Sequence, residues 1–138
     1  MLGLAAHVAG WSKDPSTKTG AVIASLDHRV ISLGYNGFPR GVTDDGRLYD
    51  RATKYKIIVH GESNALLFAV QSVVGCTLYT WPFMSCGPCA AMVVQAGIRR
   101  CVAPPADAER ALRWADDFSL ARSIFTEAGV ELDLIEAY

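Results

Sequence analysis

Residues 60–89, HGESNALLFAVQSVVGCTLYTWPFMSCGPC, decide the fold of this chain. Ala65, Phe68, Ala69 and Ser72 make a small-residue stripe at helical spacing, which predicts a helix over 61–74. Thr77 to Trp81 is rich in β-branched and aromatic residues and reads as a strand. Gly87 to Ala96 predicts a second helix, opened by Pro88 and stopped by Gly97. At 1.5 Å per helical residue the first helix runs out about 20 Å, and at 3.3 Å per strand residue the chain returns about as far. The second helix therefore begins beside the start of the first, which brings His60, Cys86 and Cys89 to one point.

Working outward, residues 2–12 read as a short helix with Leu4, Val8 and Trp11 on one face, ended by the DPST segment at 14–17. Residues 20–25 and 29–35 are apolar runs flanking Leu26-Asp27-His28 and predict an antiparallel hairpin. Residues 36–56, NGFPRGVTDDGRLYDRATKYK, are punctuated by Gly, Pro and Asp and read as a long surface loop with room for a helical turn; loops of that length in compact domains are usually functional. A strand follows at 99–103, then a turn at Pro104-Pro105. A last helix over about 108–128, with a break near Asp116 and a stop at Gly129, leads to a strand at 130–135. This order demands a sheet whose later strands are parallel through right-handed crossovers, with helices on both faces.

The chain has 138 residues, 51% of them hydrophobic and 20% charged, which suits one core and one domain over 1–138 and excludes a disordered chain. The net charge of −1 excludes bulk attraction to a long nucleic acid, yet it divides unevenly: residues 1–60 carry a net +3 and residues 61–138 a net −4. A basic surface in the first half suits a small anionic ligand. The start, MLGLAAHVAGWSK, lacks the basic segment of a secretory signal, and no apolar run reaches the roughly 18 residues of a membrane span. A cytoplasmic setting with reduced thiols is the expectation, so Cys86 and Cys89 read as metal-binding or redox-active rather than as half of a disulfide framework.

One His and two Cys ligands suit a tetrahedral Zn2+ with its fourth position open, the arrangement of a catalytic site. Cys86 and Cys89 open a helix, where unbonded N–H groups and the helix dipole favour thiolates. Glu62, two residues beyond His60, is placed to move protons without ligating the metal. Apart from Ser85 in place of a proline before Cys86, the pattern resembles the H-x-E…P-C-x-x-C signature of zinc nucleobase deaminases. Cys76 and Cys101 read as small buried hydrophobes, although either would close the site if it supplied a fourth ligand, giving a non-catalytic zinc-stabilised module. His7 and His28 read as a helix residue and a hairpin-tip residue. The string Cys-Gly-Pro-Cys also matches a thiol-disulfide oxidoreductase dithiol, but that reading leaves His60 and Glu62 without a role and puts the motif late in the chain.

Four further segments narrow the choice. Ser12 to Ile23 (SKDPSTKTGAVI), Gly34 to Gly41 (GYNGFPRG), Tyr55-Lys56 ahead of VHGESNA at 59–65, and Gln95 to Ile98 (QAGI) resemble the deoxycytidylate (dCMP) deaminases of the cytidine deaminase superfamily, over about residues 4–135. The zinc motif alone also fits other nucleoside and nucleobase deaminases. The resemblance implies a three-layer α/β/α fold around a five-stranded mixed sheet, hydrolysis of dCMP to dUMP and ammonia, Zn2+ as cofactor, a homo-oligomer (often a hexamer), and dCTP and dTTP as effectors. It makes His60, Cys86 and Cys89 the metal ligands, Glu62 the proton shuttle, and Asn36 a sugar contact, with Arg40 in a loop associated with effectors. Ser12, Lys13 and Lys18 are nominated for the 5′-phosphate.

The sequence departs from the family pattern twice. Gly61 replaces the alanine of H-A-E, which preserves a backbone N–H donor for the pyrimidine carbonyl and implies extra room. Ser85 replaces the proline before the first cysteine, within a Trp81 to Ser85 wall about one residue longer than usual. Together these raise the expectation of a 5-substituted dCMP as substrate.

Overall fold

The computed structural model describes residues 1–136. Five strands, β1 (Gly20–Ala24), β2 (Val30–Tyr35), β3 (Thr77–Trp81), β4 (Arg100–Ala103) and β5 (Glu131–Leu134), form one sheet in the order β2-β1-β3-β4-β5. β1 is antiparallel to both β2 and β3, and the β3-β4-β5 ladders are parallel, so the sheet is mixed. All five residues of β1 are buried, as a central strand covered on both faces requires.

The described residues form six helices, α1 (Leu2–Ala9), α2 (Arg51–Ile57), α3 (Gly61–Leu67), α4 (Gly87–Gln95), α5 (Ala108–Arg113) and α6 (Ala115–Ala128), of which α1, α3, α4 and α6 pack in the layers about the sheet. α1 lies on one face against β1 and β3, where Gly20 admits it closely: a Cβ there would stand 2.2 Å from the Ala5 carbonyl oxygen. On the other face Ala21, Ile23 and Leu78 of the sheet pack with Ala65 of α3, Ala90 and Val93 of α4, and Phe118, Ala121 and Phe125 of α6 in one apolar core. This is the expected three-layer α/β/α arrangement with its five-stranded mixed sheet.

The hairpin, the three later strands and the stops at Gly97 and Gly129, both at positive φ, stand where the sequence places them. Four boundaries differ. The first helix ends at Ala9 rather than at residue 12. The 36–56 stretch is not one loop: a 3-10 turn spans Gly46–Tyr49, its start capped by Asp45, whose side chain accepts from the Arg47 N–H, and α2 begins at Arg51. α2 buries only Lys54, so it carries no apolar period for a sequence reading to find. The helix expected over 61–74 stops at Leu67; beyond it the Ser72 hydroxyl accepts from the Val74 N–H and Gly75 takes φ +78°, local bonding that competes with helix. The C-terminal helix breaks at Trp114, two residues before the Asp116 near which the sequence places the break, and the separate α5 buries none of its residues. Among the described residues no helix is long and apolar enough to cross a membrane.

Candidate active site

His60 and Cys86 are the residues that precede α3 and α4, both with extended backbone (ψ 157° and 171°), and Cys89 lies in the first turn of α4. Both helices sit on the same face of the sheet, at the ends of neighbouring segments. His60 Nδ1 is 3.5 Å from Cys86 Sγ and 3.3 Å from Cys89 Sγ, and the three donor atoms all lie within 4.8 Å of one another. A tetrahedral zinc with Zn–S near 2.3 Å and Zn–N near 2.05 Å sets an N···S edge of about 3.5 Å. The donors therefore stand at the spacing zinc needs. Among the described residues no fourth His, Cys or carboxylate joins the cluster, which leaves one coordination position to solvent or ligand. Cys76 and Cys101 are buried free thiols in the core, and burial pushes Cys101 up to about 12.

The electrostatics of the three donors favour metal binding. The neighbouring Cys89, helped by His60, lowers Cys86 to about 5; Cys89 itself is pushed up by the Cys86 sulfur beside it and by burial. The Cys86 sulfur in turn raises His60. A cation at this point resolves the conflict by holding both sulfurs as thiolates and the imidazole neutral.

Glu62 is buried in the first turn of α3, and it stands outside the donor cluster. Burial pushes its carboxyl up, the Cys86 charge adds to the effect, and His60 and Ser85 oppose it. The Ser85 hydroxyl is close enough to damp that rise but makes no well-formed hydrogen bond.

A cavity of about 470 Å³ opens onto His60, Glu62 and Cys86. Its inner wall includes Thr80, Phe83 and Met84, and its volume falls within the range of small-molecule sites. A buried polar network forms one side. The Lys54 ammonium donates to Asp14 at 3.0 Å and to the Ser16 hydroxyl at 3.1 Å. Asn36 donates its amide hydrogens to the Thr17 carbonyl and to Asp14, and its side-chain oxygen accepts from the Thr19 N–H. Both amide hydrogens are thus committed, and Asn36 offers a ligand only an acceptor lone pair.

The model of the cytidine and deoxycytidylate deaminase zinc-binding region matches residues 1–104. An uncharacterized deaminase in the luxG 3′ region of Aliivibrio fischeri is 39% identical over 129 residues, spanning 94% of this chain and 86% of that one. The chain belongs to the cytidine and deoxycytidylate deaminase family. The human deoxycytidylate deaminase is 33% identical over 126 residues, covering 86% of this chain and 68% of the human protein. The structure of a dCMP deaminase from cyanophage S-TIM5 in complex with dCMP and dUMP superposes with a TM-score of 0.75 at 22% identity, covering 97% of this chain and 93% of that one, which establishes the common fold. Zn2+ is the metal of this family's motif, and His60, Cys86 and Cys89 are in place to hold it.

Of the other sequence-nominated residues, the cavity includes Asn36 but not Ser12, Lys13, Lys18, Arg40, Gly61 or Ser85. Ser12 is buried and donates to the Asn36 carbonyl, so it braces the loop that carries Asn36. Lys13 is exposed and paired with Asp44 at 2.8 Å. Lys18 is exposed, and the exposed Arg40 guanidinium lies 5.8 Å over the Phe68 ring. At Gly61 an added Cβ would meet Thr19 Oγ1 at 3.2 Å, so the missing methyl leaves no vacancy: Thr19 fills it. Sequence reasoning missed Asp14 and Lys54, and it missed Arg51, Arg110 and Arg113, which also line the cavity. From the sequence residues 108–113 read only as the start of a last helix, and it is the fold that brings them to the cavity.

Proposed function

We propose that this chain is a zinc-dependent hydrolase that deaminates dCMP, or a close pyrimidine deoxynucleotide, to dUMP and ammonia. The observation that supports this most is the position of Glu62, buried in the same cavity as His60 and Cys86 yet outside the donor set. Zinc, when bound, supplies Lewis acidity that activates water near neutral pH. Glu62 takes a proton from the attacking water, delivers it to ring N3, and then carries the second proton to the departing amine. In balance, a C4–O bond forms, the C4–N bond breaks, and one water is consumed for each ammonia released. Asn36 accepts from a sugar hydroxyl, which must point its hydrogen at the remaining lone pair. Burial of Phe118 and Met84 beside the cavity keeps the reacting end dry.

Residues 1–138 act as one catalytic unit in a reducing, cytoplasmic setting where the thiols are free to bind metal. A homo-oligomer, hexameric by the resemblance, and control by dCTP and dTTP belong to the same proposal; sedimentation of the purified chain and titration of each triphosphate test them. The deciding experiment is an ammonia-release screen of free bases, nucleosides and nucleotides. Turnover of dCMP is the expected result, and no turnover of any cytosine compound by the zinc-loaded protein overturns the assignment. Adding 5-methyl-dCMP to the screen tests the 5-substituted substrate, for which the longer Trp81 to Ser85 wall is now the one motive.

A further inference from the structure

Three arginines at the outer end of the cavity have no part in the chemistry above. Arg51 opens α2, and Arg110 and Arg113 lie one helical turn apart on α5, and all three line the cavity. The cavity runs from the buried Glu62 and half-buried His60 to these more exposed side chains, so the arginines form its rim. Tyr55 of α2 and Trp114 after α5 meet edge to face with centroids 6.1 Å apart, which ties the two sides of the rim together.

The guanidinium groups are held but not exhausted. Arg110 is paired with Asp107, and Arg113 donates through one nitrogen to Glu109 at 2.5 Å. Each guanidinium has five N–H donors, so both keep most of them for a ligand. Arg51 has no ion pair among the described residues and lies 5.0 Å over the Tyr55 ring. Two anions and three cations leave the rim positive. Planar forked donors on two sides of an opening match the oxygens of a phosphate monoester.

We infer that Arg51, Arg110 and Arg113 form a clamp for the 5′-phosphate of the substrate and set the preference for a nucleotide over a nucleoside. This rests on the deaminase reading above and specifies which residues read the phosphate. Lys13 and Lys18, nominated with the family resemblance, do not line the cavity and take no part in it. The same chemistry would suit a phosphate of an effector nucleotide, so the test is run without any triphosphate.

The experiment compares steady-state kcat/KM for dCMP and for deoxycytidine in the zinc-loaded wild type, Arg51→Ala, Arg113→Ala and an Arg110→Ala/Arg113→Ala double variant, with Lys13→Ala as control. Loss of one charge-assisted hydrogen-bonding group predicts that the ratio of the two kcat/KM values falls about ten- to hundred-fold in each arginine variant, through KM for dCMP. Lys13→Ala keeps the wild-type ratio. Because α5 buries none of its residues and Arg51 is exposed, these variants are expected to melt with the wild type. An unchanged ratio, or parallel loss with both substrates, overturns the clamp. If the wild type turns over neither substrate, the deaminase reading fails, and the clamp is then judged by equilibrium binding of dUMP against deoxyuridine. Tighter wild-type binding of dUMP that the arginine variants lose supports it, and equal binding of the two ligands refutes it.

Discussion

Replacing Gly34 by alanine tests how firmly the metal centre is tied to the sheet. Gly34 faces α3 from β2, and a Cβ built on it would stand 2.2 Å from the Gly61 carbonyl oxygen and 2.3 Å from the Ala65 N. Ordinary contact begins near 3.4 Å, so α3 must retreat by about 1.2 Å or the strand must bend. Both atoms are backbone, and no side chain can swing aside. Overpacking of this kind costs about 1–3 kcal/mol, which at about 3 °C per kcal/mol for a chain this size lowers Tm by about 3–10 °C. The functional effect should exceed the stability effect. α3 carries Glu62 and is entered through His60, whereas Cys86 and Cys89 belong to α4, so the displacement opens the donor set from one side. Misplacement of about 1 Å typically costs about a hundredfold in rate. The measurements are Tm by calorimetry, zinc per chain by elemental analysis, and initial rates of ammonia release. Gly3→Ala is the control: it meets nothing within 4 Å and should be neutral or slightly stabilising. A Gly34→Ala protein with wild-type Tm, full zinc and full rate would refute the idea that β2 sets the position of His60.

Three other outcomes are expected. Glu62→Gln should keep one zinc per chain and its melting temperature but lose about 10²- to 10⁴-fold in rate, as removal of a positioned proton carrier does; retained activity would remove Glu62 from the mechanism. Lys54→Met should cost about 3–5 kcal/mol, because it strands the Asp14 carboxylate in a buried site, and Lys54→Met/Asp14→Asn should recover part of that loss in denaturant titrations; an additive double variant would mean the pair is not coupled. Thiol labelling should separate the four cysteines. After chelation Cys86, lowered to about 5, is thiolate at pH 7 and alkylates first, whereas Cys101, whose acid form persists until pH rises through about 12, stays unlabelled at pH 8 until the chain unfolds. Mass spectrometry that found Cys101 labelled in the folded protein would contradict its place in the core.

The metal centre was legible because the spacing of His60, Cys86 and Cys89 encodes its own geometry: a helix out, a strand back, and a second helix whose first turn meets the first. The strands were legible for a similar reason, since β1 and β3 are short runs of residues that fit a covered sheet. α2 was not, because it buries a lysine against an aspartate 40 positions earlier, and no periodic pattern announces an ion pair that distant. The length of α3 was overestimated because Ala69 and Ser72 continue a helical stripe that the bonding around Ser72 and Gly75 interrupts. The arginine rim was invisible for a topological reason: its members come from two helices separated by the whole α3-β3-α4-β4 passage, and Arg110 and Arg113 stand in the sequence beside their acidic partners Asp107 and Glu109.

The unburied α5 has an evolutionary consequence. It lies beyond residue 104, where the match to the family model ends, and it contributes no side chain to the core. Substitutions along it alter one wall of the cavity while costing the fold almost nothing, and they leave the metal donors, which sit on packed helix starts, undisturbed. Selection can therefore revise what the pocket admits without risking the reaction performed at its floor, and close relatives are free to diverge in substrate at these six positions first.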